Sequence, residues 1–177
     1  MDKFQERNLD SGNIFLFGEI DDENSQQAIE QLLYLNSKKR ARPKTITVWI
    51  NSPGGLLQPA YAMVDIFGKL KSQVRTIGIG TVESAAAFVL MGGTKGQRLL
   101  SRYASVMIHE YFWSNSGSFT EIKGRQIEIE NTRKRQVQFI SEYSGKTLAQ
   151  AGKFLRHEEV WLCAEEALKH GIVDNIY

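Results

Sequence analysis

The feature that most constrains this chain is an alternation of short, β-rich apolar runs with segments of helical period, sustained from residue 14 to the C-terminus. The run 14–17 (IFLF), closed by Gly18, reads as a buried strand. Asp21 and Asp22 then offer N-caps to a helix whose apolar positions Ala28, Ile29, Leu32, Leu33 and Leu35 share a face. A strand over 46–50, the turn Asn51-Ser52-Pro53-Gly54-Gly55 and a helical pattern through Ala60, Met63, Val64, Phe67 and Leu70 repeat the unit. A strand over 74–79 leads into a buried helix over 84–92, and 105–108 is again a strand. A charged helix over 120–143, with an apolar stripe through Ile122, Ile129, Val137, Ile140 and Tyr143, follows. After Gly145 come a short helix, an extended piece around Trp161-Leu162, a helix over 164–170 capped by Gly171, and a strand over 172–176. Strands and helices in alternation require right-handed crossovers and a mainly parallel sheet, the signature of the α/β class.

The 177 residues, 42% of them hydrophobic, suffice for one core, expected as a single domain over 14–177 preceded by a short polar segment over 1–13. Lys and Arg number 22 against 20 Asp and Glu, so nothing in the charge calls for a nucleic acid or an anionic membrane. The one cysteine, Cys163, excludes an internal disulfide and a cysteine-rich zinc site. The N-terminus lacks the apolar core of a signal peptide, and no stretch approaches the roughly 18 apolar residues of a membrane span. The expectation is a cytoplasmic protein that works without metal or organic cofactor.

In parallel α/β sheets, reactive groups collect on loops at the carboxyl ends of strands. The Gly54-Gly55 turn, Ser84 at a strand-to-helix junction and His109 directly after a strand all occupy such positions. A serine peptidase needs a hydroxyl, an imidazole to take its proton and backbone N–H groups aimed at the developing oxyanion. Singly, a serine that begins a helix is usually a cap and a glycine pair usually a turn; in combination they supply these three parts. His157 and His170 stand in polar, helix-end contexts without metal-ligand spacing, and residues 92–96 lack the order of a phosphate loop.

From Ile14 to Ile176 the sequence resembles the proteolytic subunit of the Clp protease, ClpP. The segments "INSPGG" at 50–55, "VMIHE" at 106–110 and "EEALKHGIVDNI" at 165–176 carry the resemblance. It implies a ClpP/crotonase-like spiral of βαβ units with helix 120–143 as a protruding handle. The implied roles are Ser84 as nucleophile, His109 as general base, and the amides of Gly55 and Ala85 as oxyanion donors. Substrate would pair as an added strand beside Gly54, Leu56, Leu57, Tyr111 and Phe112. The implied partners are polypeptide substrates, further copies of the chain in stacked heptameric rings, and a Clp-type ATPase unfoldase or a longer ClpP relative.

The sequence departs from the family at three places. The acid that orients the histidine is usually Asp; here Glu159, in "HEEVWLCA", takes that place, with Glu158 the alternative if an insertion lies later. Glu83 stands where a small residue normally precedes the nucleophile, and is expected to point away, toward a basic side chain. The segment before the first strand is short, which weighs against docking of an unfoldase. Two other readings stay open: a catalytically impaired structural subunit of a mixed ring, and a crotonase-type acyl-CoA enzyme.

Overall fold

A computed structural model describes residues 3–39, 41–111, 118–155 and 159–177. The chain forms two compact units, one of residues 1–107 with 161–177, the other of residues 108–160.

The first unit opens with α1 (Lys3–Asp10), β1 (Asn13–Phe17), α2 (Asp22–Ser37), β2 (Thr45–Ser52) and α3 (Leu57–Phe67). It continues through β3 (Gln73–Glu83), α4 (Ala85–Met91), β4 (Arg98–Leu100) and β5 (Ser105–Ile108), whose last residue begins the second unit. β1, β2, β3 and β4 pair in parallel in that order. β5 also lies parallel to β3, beyond β4's pairing, at Thr81, Val82 and Glu83. Along β2, Ile46, Val48 and Ile50 are buried at every second position, the pleat that a half-covered strand requires. α2 places Ala28, Leu32 and Leu35, and α3 places Ala60, Met63, Val64 and Phe67, in the same core; α4 is buried on every side. Asp21 caps α2 by accepting the Asn24 N–H at 2.7 Å, as its position before the apolar periodicity predicts.

Two features of this unit position its loops. Ile50 pairs with Gly78 but Ser52 with Val82, so Asn51 alone faces residues 79–81 of β3. This bulge bends β3 at Gly80, φ +60°, and the Asn51 side chain fills it, Oδ1 accepting from the Thr81 N–H at 3.2 Å. At the far edge α7 (Ala164–Lys169) leads to β7 (Asn175–Ile176), which pairs with β4.

The second unit holds α5 (Phe119–Ser144) and α6 (Leu148–Phe154), each begun by a reciprocal capping box, Ser118 with Glu121 and Thr147 with Gln150. α5 ends at Gly145 in the left-handed conformation, φ +74°. Its fully buried row is Thr132, Gln136 and Ile140; of the apolar stripe read from the sequence Ile140 is buried, Ile129, Val137 and Tyr143 are half-buried and Ile122 is exposed. Between 120 and 131 every side chain is exposed except Ile129, which is half-buried. β6 (Val160–Leu162) follows Glu159.

Sequence and structure differ at three further points. Residues 3–10 form a helix that buries Leu9, where the sequence shows no periodicity. β4 is absent from the sequence reading, since three residues carry no period. The last strand shrinks to Asn175–Ile176 because Ile172 and Val173 are buried in the bend that closes α7.

Candidate active site

The segment "INSPGG" brings Gly54 against the end of β3 and Gly55 against Ile20. Ser52 is fully buried and its Oγ accepts from the Gly54 N–H at 3.0 Å, which pins the turn from inside. A Cβ on Gly54, φ +89°, would stand 2.6 Å from the Glu83 carbonyl oxygen, 2.8 Å from the Ser84 Cβ and 3.0 Å from the Ala85 nitrogen. Only glycine permits this approach. On its other side the turn pairs with Ile20: the Ile20 N–H donates to the Gly54 carbonyl and the Leu56 N–H to the Ile20 carbonyl, both at 2.7 Å. In such a parallel bridge the middle residue turns its own amide away from the partner. The Gly55 N–H accordingly faces away from Ile20 and finds no hydrogen-bond partner among the described residues.

Ser84 links β3 to α4 with φ 51° and ψ −120°, and is the one residue other than glycine with positive φ among the described residues. Such a conformation costs of order 1–3 kcal/mol and persists only where its surroundings impose it. Its side chain makes no capping hydrogen bond, so the usual structural role of a serine before a helix does not account for it. The backbone is held at both ends, N–H to the Met107 carbonyl at 2.8 Å and carbonyl from the Ala87 N–H at 3.0 Å. A serine on a strained strand-to-helix turn is the geometry of a nucleophile elbow. Ala85, buried, opens α4, and its N–H has no partner among the described residues. Leu56 is exposed beside the turn, whereas the Leu57 side chain is packed in the core.

Among the described residues Glu83 forms an ion pair with no basic side chain. Its carboxylate accepts the hydroxyl of Thr81, two residues back on the same face of β3.

In the second unit His109 follows β5 directly and is half-buried. The Gln136 side chain grips the backbone beside it, Nε2 donating to the His109 carbonyl at 3.4 Å and Oε1 accepting from the Tyr111 N–H at 3.1 Å. Glu110 forms an ion pair with Arg133. Glu159 is exposed, immediately before β6. Phe112, Glu158 and His157 lie outside the described residues. Thus Gly54, Gly55, Leu56, Ser84 and Ala85 come together in the first unit, while His109, Tyr111 and Glu159 belong to the second.

A strained serine elbow set against a double-glycine turn narrows the comparison, and the family model for Clp protease matches residues 1–177. The chain belongs to the Clp protease family. It is 33% identical over 163 residues to the ATP-dependent Clp protease proteolytic subunit of Chlorella vulgaris, covering 92% of this chain and 80% of that one. The protein of the same name from Oltmannsiellopsis viridis is 33% identical over 163 residues, covering 92% and 82%. The α/β architecture above is consistent with the fold of a Clp protease subunit, and membership supports a peptidase of the ClpP type.

Within this Clp protease framework the sequence reading missed the residues that support the site. Asn51 and Ser52 were visible only as turn formers, yet one fills the β3 bulge and the other fixes Gly54. Gln136 was hidden because a polar residue on a charged helix gives no sign of burial; its spacing of four from Thr132 and Ile140 is the signal that was available. Among the described residues no helix is long and apolar enough to cross a membrane.

Proposed function

We propose that the chain is a serine endopeptidase in which Ser84 is the nucleophile, His109 the general base and Glu159 the acid that orients the imidazole. The observation that carries the reading is the strained Ser84, uncommitted to capping and pressed against Gly54, with Gly55 and Ala85 amides that find no partner among the described residues. His109 takes the hydroxyl proton as Ser84 Oγ adds to the peptide carbonyl, and the two amides receive the negative charge that develops on its oxygen. His109 then gives its proton to the leaving amine, and water, activated in the same way, hydrolyses the acyl-enzyme. Neither a metal nor an organic cofactor enters these steps.

Substrate is an unfolded polypeptide or short peptide lying as an added strand along Gly55 and Leu56 and along Tyr111 and Phe112. The outward amide of Gly55 supports this, since an edge without a partner invites another strand. The chain acts within stacked rings of its own kind, fed by an ATP-dependent unfoldase. The names of the two relatives, ATP-dependent proteolytic subunits, support the partner. The exposed first half of α5, with Ile122 and Ile127 uncovered, supports a packing role between subunits.

Intact-mass spectrometry after fluorophosphonate treatment tests the reading. A single adduct on the assembled protein, lost in Ser84→Ala and in His109→Ala, is expected. No adduct on assembled wild type overturns it in favour of a structural subunit.

A further inference from the structure

Gln136 is 2% exposed, on a helix whose other described residues are mostly solvated. A buried primary amide has two donors and two acceptor sites to satisfy, and leaving them unmet costs about 1–3 kcal/mol. Here both ends go to one short stretch of backbone: the oxygen takes the Tyr111 N–H and the nitrogen gives to the His109 carbonyl. Because an N–H can only donate and a carbonyl only accept, the orientation of the amide is fixed by its partners. Binding the carbonyl of residue i and the N–H of residue i+2 is what an adjacent strand does for its neighbour. Just beyond β5 that neighbour is replaced by one side chain. One helical turn back, Arg133 holds Glu110, so α5 grips the three consecutive residues 109–111.

We propose that Gln136 is the positioning residue that fixes the backbone of His109, and thereby its imidazole, for proton transfer. This rests on the assignment of His109 as general base. Proton transfer tolerates little displacement: an error of about 1 Å costs on the order of a hundredfold in rate. Gln136 reaches His109 and Tyr111 only through their backbone and leaves the reacting atoms untouched, so its effect falls on kcat and on Ser84 activation more than on substrate affinity, which the Tyr111 contact also influences.

The test uses the full chain in its assembled form, with fluorophosphonate labelling rate, peptide kcat and KM, and melting temperature measured together. Gln136→Met, of similar length but without hydrogen bonds, is expected to lower kcat and labelling rate about 10- to 100-fold, a larger factor than any change in KM. Gln136→Glu still accepts from Tyr111 but, ionised, offers nothing to the His109 carbonyl; protonated, it donates again. Its activity relative to wild type is therefore expected to rise as pH falls, a signature that mere loosening of a helix does not give. Thr132→Val, one turn away in the same buried row, serves as the control for helix damage and is expected to keep wild-type kcat. A labelled wild type with a Gln136→Met variant equal to it in kcat, or a Gln136→Glu variant that tracks wild type across pH, overturns the proposal alone. An unlabelled, assembled wild type overturns the peptidase reading, and the proposal with it.

Discussion

The backbone N–H of Ser84 donates to the carbonyl of Met107 at 2.8 Å, one of the bonds by which Glu83 pairs with Met107 at the end of β3. The serine is thus tied to β5 at Met107. Pairing with β5 on one side and the Gly54 turn on the other leave Ser84 no freedom to relax its φ of 51°.

That strain is measurable. Ser84→Gly should raise stability by about 1 kcal/mol relative to Ser84→Ala, since glycine alone adopts positive φ without penalty. For a chain of this size the glycine variant should melt about 2–4 °C above the alanine variant. Both should lose labelling. Equal melting temperatures would show that the turn is unstrained.

Gly54→Ala should be damaging out of proportion to one methyl group. The new Cβ would sit within 3.0 Å of backbone at Glu83 and Ala85, atoms that cannot swing aside as a flexible side chain does, and φ +89° is itself costly. Loss of at least about 2 kcal/mol, with labelling abolished, is expected. Gly96→Ala makes the comparison, because its φ is +85° but nothing stands within 4 Å; it should cost about 1 kcal/mol and leave labelling intact. Similar effects at the two sites in thermal melts and labelling would refute the steric argument.

Ser52→Ala removes the hydroxyl beneath the turn and strands the Gly54 N–H in a dry setting, at a cost of about 1–3 kcal/mol. With the turn loosened, the Gly55 amide loses its aim, so the acylation rate should fall about tenfold or more while peptide affinity changes little. Stopped-flow measurement of acylation against KM separates the two. An unchanged acylation rate would mean that Ile20 alone holds the turn.

The larger elements were legible because one physical signal dominated each. β2 alternates, so Ile46, Val48 and Ile50 declare a face, and α2 announces its start at Asp21. The nucleophile and the glycine turn were legible as a combination of residue types. What was not legible depends on close contact between distant segments. The φ of Ser84 is imposed by Gly54 and Met107; the fate of Glu83 is set by Thr81; and Gln136 is buried by packing that a charged helix does not advertise. β4 was missed for a related reason: its first residue is Arg98, whose type belongs on the surface but which is 1% exposed here.

Arg98 is tolerated inside because Asp174 answers it. The carboxylate accepts from Arg98 Nε at 2.9 Å, from the Arg98 N–H at 3.1 Å and from the Gly96 N–H at 2.7 Å, joining β4 to the start of β7. Burial pushes the Asp174 carboxyl up, but the Arg98 guanidinium and these hydrogen bonds outweigh it and bring its pKa from 3.8 down to about 2. A carboxylate depressed in the folded state binds its proton more readily when unfolded, so its contribution is complete above about pH 4 and disappears as pH falls through about 2. The shift corresponds to roughly 2 kcal/mol. Asp174→Asn should therefore be less stable than wild type at pH 7 by more than that figure, because Arg98 is left buried without its counter-charge. The deficit should narrow between pH 4 and pH 2 as the wild type loses what the variant never had. Urea denaturation of both proteins across that range measures it, and a deficit independent of pH would show that Asp174 acts through shape alone.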